Sequence, residues 1–189
     1  MSGYSWPLPA SAPVSQRFGS NPSNGNNPAG GHTGTDFAVP EGTPCYAAGD
    51  GVIELAGWVD ETYADNPYWL RGGIAVALNC GPGRPAFTYG HLSATHLEVG
   101  QRVSQGDLIG LTGNTGHSFG AHLHFEAIPD GYDLNSPTYG RVDPATFCSV
   151  YPGGGGTLSS ASSSSRPLEV LTEDQRFFRD ELGIPLPID

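Results

Sequence analysis

The chain has 189 residues, which suits one domain with an appendage rather than two full domains. Hydrophobic residues make up 37%, adequate for one core, while Gly (28) and Pro (17) approach a quarter of the chain and indicate many turns between short strands, not collagen or disorder. A net charge of −11 with only 8 Lys and Arg argues against a nucleic-acid partner and against docking on an anionic membrane by charge.

The first residues, Met1 to Pro9, carry neither a basic n-region nor an apolar h-region, and no run approaches the length of a membrane-spanning helix. The expectation is synthesis in the cytoplasm, with any export by another route. Cys45, Cys80 and Cys148 form no metal-ligand spacing, and an odd count does not describe a disulfide scaffold. Buried free thiols are expected, with a Cys80–Cys148 pair as the alternative.

Residues 4–18 hold Trp6, Pro7, Leu8 and Pro9 and read as an extended arm or edge strand. Gly19 to Gly31 is a long polar loop, a type that is often functional. It ends in Gly31-His32-Thr33-Gly34-Thr35-Asp36-Phe37. Gly34 disfavours a helix there, so a turn leading into a strand brings His32 and Asp36 together. An imidazole and a carboxylate suit zinc if a third nitrogen comes from elsewhere; the other reading is a surface turn in which Asp36 bonds the local backbone.

Strands are predicted over 44–48 and 52–56 about a Gly49-Asp50-Gly51 turn. The acidic, aromatic stretch 59–72 reads as a loop whose Tyr63, Tyr68 and Trp69 either wall a substrate groove or pin the loop to the domain. Residues 73–79 alternate, with Ile74, Val76 and Leu78 on one face. The next strand places Phe87, Tyr89 and His91 on one face. Two short strands follow over 99–110, and a Gly-rich loop leads to His122-Leu123-His124-Phe125-Glu126. In a strand His122, His124 and Glu126 share one face, while Leu123 and Phe125 point to a core. Two imidazoles side by side can share a metal, or can simply line the polar face of a half-buried strand. Regular strand spacing without a convincing amphipathic helix before residue 170 predicts an all-β barrel or sandwich.

Three motifs now stand in order: Gly31-His32-Thr33-Gly34-Thr35-Asp36-Phe37-Ala38, Tyr89-Gly90-His91-Leu92-Ser93, and Gly113-Asn114-Thr115-Gly116 with His122-Leu123-His124-Phe125-Glu126. Together they resemble the lysostaphin/LytM-type zinc endopeptidases, from about residue 5 to 130. The resemblance implies a duplicated hybrid motif fold and hydrolysis of peptide cross-links in bacterial peptidoglycan. It implies one Zn²⁺ per chain, held by His32, Asp36 and His124, with His91 and His122 as the two non-ligand histidines beside it. His122 is then the expected base; His91 would donate to the oxyanion or orient the water, and the roles could be exchanged. His117 is a candidate substrate contact, and His96 reads as a surface residue. A non-catalytic peptidoglycan-binding or hydrolase-activating module of the same fold is the alternative.

The domain reading is a catalytic domain over 1–151, a flexible Gly/Ser linker over 152–166 and a short helical segment over 167–189. Thr172 is a candidate N-cap with Gln175 at the capping-box position, and Phe177, Phe178 and Leu182 form an apolar face. The stretch 170–184 could therefore dock on the catalytic domain, a partner or a second copy. By resemblance the setting is a bacteriophage endolysin that accumulates in the host cytoplasm and reaches the wall once the membrane opens, or a virion-associated lysin.

Overall fold

The computed structural model describes residues 3–23, 27–59 and 73–152. By its internal contacts the chain divides into Met1–Pro152 and Gly153–Asp189. The expected linker from residue 153 onward, the C-terminal helix, and Tyr63, Tyr68 and Trp69 lie outside the described residues.

The strands are β1 (Tyr4–Ser5), β2 (Val14–Gln16), β3 (Thr35–Phe37), β4 (Pro44–Tyr46), β5 (Gly51–Val59), β6 (Gly73–Asn79), β7 (Ala86–Ala94), β8 (Arg102–Val103), β9 (Leu108–Thr112), β10 (Leu123–Ile128) and β11 (Cys148–Val150). Among the described residues a 3₁₀ turn at Pro144–Thr146 is the only helical element. The fold is thus all-β. The main sheet runs β2-β3-β10-β7-β6-β5-β8, with β9 pairing β7 and β4 pairing β9. Its pairings are antiparallel. Because that path begins at β2 and ends at β8, the described sheet does not close into a barrel, and the barrel form of the sequence expectation is set aside.

Apolar residues alternating along β7 and β10 build the centre of the core. Leu123 and Phe125 of β10 are fully buried with Phe87 and Tyr89 of β7. The Phe87 and Phe125 rings stack at 5.5 Å with 5° between their planes, and Tyr89 meets Phe125 at 5.2 Å. Trp6 from the N-terminal arm packs on both Phe37 and Phe125. Burying a ring of this size stabilises by roughly 1.5–3 kcal/mol, and here it also clamps the inner face of β10. The Tyr89 hydroxyl accepts a hydrogen bond from the Ala48 amide at 2.8 Å, which satisfies its polar end inside the core.

Strand β6 departs from the one-sided pattern expected for it. Ala75 and Ala77 are fully buried along with Val76 and Leu78, so both faces of the strand are covered. Small side chains on the second face permit that close cover. His96, expected at the surface, is half-buried next to the buried Leu97.

The three cysteines are buried free thiols, so the alternative Cys80–Cys148 disulfide is not present. Burial pushes Cys45, Cys80 and Cys148 each up to about 12. Only a thiolate attacks a thiol reagent. The native protein should therefore leave all three unmodified at about pH 8, and denaturant should release three equivalents without reductant. Fast labelling of the native protein, or fewer equivalents after denaturation, would contradict this account; both are read by absorbance titration.

Candidate metal centre

Strand register alone brings two of the site residues together. In the antiparallel β3–β10 pair His124 lies opposite Asp36. Directly opposed residues share a face, and both side chains are buried on the face away from the aromatic core. His32 enters from the turn before β3. Gly34 makes that entry feasible, since a Cβ there would run into the Phe125 carbonyl oxygen.

The three side chains converge on their donor atoms. His124 Nδ1 lies 2.7 Å from Asp36 Oδ1 and 3.1 Å from His32 Nε2. His32 Nε2 lies 3.2 Å from Asp36 Oδ2. One donor atom from each of the three residues falls within 4.8 Å of the others. His122 sits just before β10, bridged to Gly113, and its Nε2 is 3.9 Å from Asp36 Oδ1. Its Nδ1 faces the Gly120 carbonyl at 2.7 Å and the Ser118 hydroxyl at 3.3 Å.

His91 reaches the site by a route that alternation does not predict. Continued from Phe87 and Tyr89, the pattern would point it into the core. Its backbone instead takes φ +61°, the left-handed region that a residue with a Cβ rarely adopts, and the register of β7 shifts just beyond it. The ring turns to the other face, 4.6 Å from His122 and 5.9 Å from His124 between centroids. Its Nδ1 lies 2.8 Å from the Thr115 carbonyl. The expected grouping of Phe87, Tyr89 and His91 on one face is corrected accordingly. Strain of this kind is commonly stored at functional sites.

Electrostatics follow from burial and pairing. Burial would raise the Asp36 carboxyl, but hydrogen bonds with His124 and His32 outweigh it and hold the group far below the usual carboxylate range. Burial opposes charge on His124 too, yet Asp36 and Glu126 push it up to about 10. Glu126, raised by burial, is brought down to about 2 by Arg141 and then by His124. His91 goes the other way, down to about 4, through burial first and then the charges of His124 and His122.

The donor set fits a divalent metal. Two imidazole nitrogens and a carboxylate are zinc ligands by type, and three protein ligands leave a further position for reaction. His32 Nε2 and His124 Nδ1 face each other at 3.1 Å, so either one ring donates an N–H to the other or a cation sits between two lone pairs. The second arrangement is a metal cation bound by His32, Asp36 and His124 together.

The cluster opens on a groove of about 430 Å³. Gln16, Pro28, His117 and Phe119 are among the residues that line it, together with the cluster itself. Phe119, 84% exposed and 5.1 Å from His117 between centroids, was not singled out from sequence. Nor were Thr88 and Arg141, both buried against Glu126. A buried Thr in a strand gives no sequence signal. Arg141 lies in an irregular stretch whose return to β10 only the fold reveals.

Comparison with known proteins bears on the family and the fold. The profile of peptidase family M23 matches residues 30–136. The peptidoglycan DD-endopeptidase ShyA of Vibrio cholerae is 41% identical over 105 residues, which cover 56% of this chain and 22% of that protein. The glycyl-glycine endopeptidase ALE-1 of Staphylococcus capitis is 35% identical over 136 residues, 72% of this chain and 33% of that one. Among solved structures, the catalytic domain of lysostaphin from Staphylococcus simulans matches with a TM-score of 0.58 and 30% identity, over 71% of this chain and 90% of that one. A zinc-containing peptidase from Vibrio cholerae matches with a TM-score of 0.55 and 27% identity, over 68% of this chain and 37% of that one. The chain thus spans about a fifth to a third of the length of these curated relatives.

A depressed His91 has a definite consequence. An ordinary histidine titrates near 6.5, so His91 is neutral in folded and unfolded chains above that pH. Between about 6.5 and about 4 the unfolded chain takes up the proton first, and this group costs stability as pH falls through that window. A neighbouring cation would lower the folded value further. Heteronuclear NMR at about pH 5.5 should find a neutral His91 ring protonated on Nδ1. An imidazolium at that pH would overturn the assignment.

Proposed function

The chain belongs to peptidase family M23, and on that premise we propose that it is a zinc endopeptidase that hydrolyses peptide cross-links in bacterial peptidoglycan. The observation that carries this reading is the convergence of His32, Asp36 and His124 at the floor of an open groove, with two further imidazoles beside them. Similarity to a peptidoglycan DD-endopeptidase and to a glycyl-glycine endopeptidase supports a wall peptide as the substrate. We assign catalysis to residues 1–151, with 152–166 as a linker and 167–189 as a separate segment.

His32, Asp36 and His124 would hold the ion. When bound, zinc supplies Lewis acidity, lowering the pKa of water from about 15.7 toward about 7 and polarising the scissile carbonyl. The chain supplies the proton handling. A carbonyl oxygen only accepts hydrogen bonds, so His122 donates from Nδ1 to Gly120 and His91 donates from Nδ1 to Thr115. In the neutral tautomer each ring therefore keeps a lone pair on Nε2.

His122 Nε2, beside Asp36, is the base that takes a proton from water. Hydroxide adds to the carbonyl carbon, the C–N bond breaks, and the same nitrogen returns the proton to the departing amine. His91 is held neutral and its one N–H is committed to Thr115. It accepts a hydrogen bond at Nε2 and orients the water. Of the two roles expected for His91, donation to an oxyanion would need a proton on that nitrogen. By resemblance alone we also propose a setting of bacteriophage lysis; the net charge of −11 offers no electrostatic attraction to an anionic membrane.

Purified peptidoglycan incubated with the protein should gain free amino groups. A chelator should stop the release and zinc should restore it, and mass spectrometry of the fragments identifies the bond. No release from walls of several chemotypes, with zinc bound, would defeat the hydrolytic reading in favour of a binding module.

Substitution separates ligand from base. His122→Ala should keep zinc and lose on the order of 10²–10³ in rate, whereas His124→Ala should lose the metal as well. Full activity in His122→Ala would refute its assignment; metal analysis and single-turnover rates distinguish the two variants.

A further inference from the structure

Behind His124 runs a buried polar chain that the hydrolytic reading does not use. His124 Nε2, on the side of the ring away from His32, lies 3.0 Å from Glu126 Oε1. The other carboxylate oxygen, Oε2, accepts from Arg141 Nε at 3.0 Å and from the Thr88 hydroxyl at 3.1 Å. Arg141 Nη1 donates to the Tyr139 carbonyl at 2.6 Å. Glu126 is 1% exposed, Arg141 5% and Thr88 not at all. The Val142 amide donates to the Ala127 carbonyl at 3.0 Å, which fixes the backbone next to Arg141 against β10. Arg141 lies beyond the stretch matched by the family profile, which ends at residue 136.

We propose that Arg141 is a positioning residue for the metal centre, acting through Glu126 to hold the His124 ring with its Nδ1 aimed at the ion. The inference rests on the assignment of His32, Asp36 and His124 as ligands. Neutral imidazole carries one proton. To present a lone pair at Nδ1, His124 must carry that proton on Nε2, and Glu126 Oε1 is the acceptor that selects this tautomer. A carboxylate can do so only while it is correctly turned. Arg141 supplies that condition: its Nε, with the Thr88 hydroxyl, occupies Oε2 so that Oε1 faces the histidine. Removal of Arg141 takes away the partner that holds Oε2, so the buried carboxylate can turn. That loosens the His124 ring. Partners of this kind behind a metal-binding histidine are typically worth 10–100-fold in metal affinity.

The test is a zinc competition titration against a chromophoric chelator on the full chain, with the thermal midpoint of each metal-free variant as the control for folding. Arg141→Gln and Glu126→Gln should each weaken zinc about 10–100-fold. The double variant should bind no worse than the poorer single, because both act through one carboxylate. Arg141→Lys, which keeps the charge, should recover part of the loss, and cobalt-substituted protein should change its visible spectrum in step. Where Arg141→Gln does not fold, Thr88→Val with Glu126→Gln carries the same comparison: it removes the other donor to Oε2 and should weaken zinc non-additively with Glu126→Gln. Wild-type affinity in Glu126→Gln, or losses that multiply in the double variant, would overturn the proposal. Zinc binding in His124→Ala equal to wild type would instead show that the ligand assignment had failed. None of these readouts uses substrate, so they stand apart from whether the protein cuts peptidoglycan.

Discussion

Side-chain alternation along Leu123–Ile128 is the constraint on which the rest of the site depends. A strand sends neighbours to opposite faces, and β10 uses the two faces for incompatible purposes. Leu123 and Phe125 enter an aromatic core in which Phe87, Tyr89 and Trp6 surround Phe125. His124 and Glu126, on the other face, enter a buried polar cluster that borders the groove. The dense packing behind Phe125 fixes the backbone, and a fixed backbone lets His124 and Asp36 meet in register instead of by chance of side-chain rotation.

The polar face is stable only because its charges are paired. Asp36, Glu126 and Arg141 are all buried, and a lone buried charge costs several kcal/mol. Glu126 has Arg141, and Asp36 has two imidazoles. The permanent charges of these three residues leave one net negative charge, which either a protonated His124 or a cation can offset. A divalent cation more than offsets it, leaving a positive surplus that favours a developing oxyanion. The arrangement that tolerates burial is therefore also one suited to polarising a carbonyl.

His91 breaks the alternation that organises its neighbours. Its left-handed backbone withdraws the ring from the Phe87 and Tyr89 face and commits Nδ1 to the Thr115 carbonyl. Thr115 belongs to the Gly-rich loop before β10, and its hydroxyl donates to the Leu92 carbonyl. The loop and the bulge in β7 thus hold each other in place, and the catalytic geometry proposed for His91 depends on both.

The sequence by itself determined the class of fold, since apolar alternation and turn chemistry are local and can be read residue by residue. It also placed His124 and Glu126 on one face and Leu123 and Phe125 on the other, a direct consequence of the two-residue period. The motifs bearing His32, Asp36, His91, His122 and His124 were legible as a set, because each lies in a short run of distinctive residues. Only the tertiary structure decided that Asp36 opposes His124, that a left-handed backbone turns His91 into the site, and that Arg141 returns to Glu126 from an irregular stretch. Those facts depend on strand register, a bulge and a long-range charge pair. Each joins residues far apart in the chain, and no local periodicity encodes such a meeting.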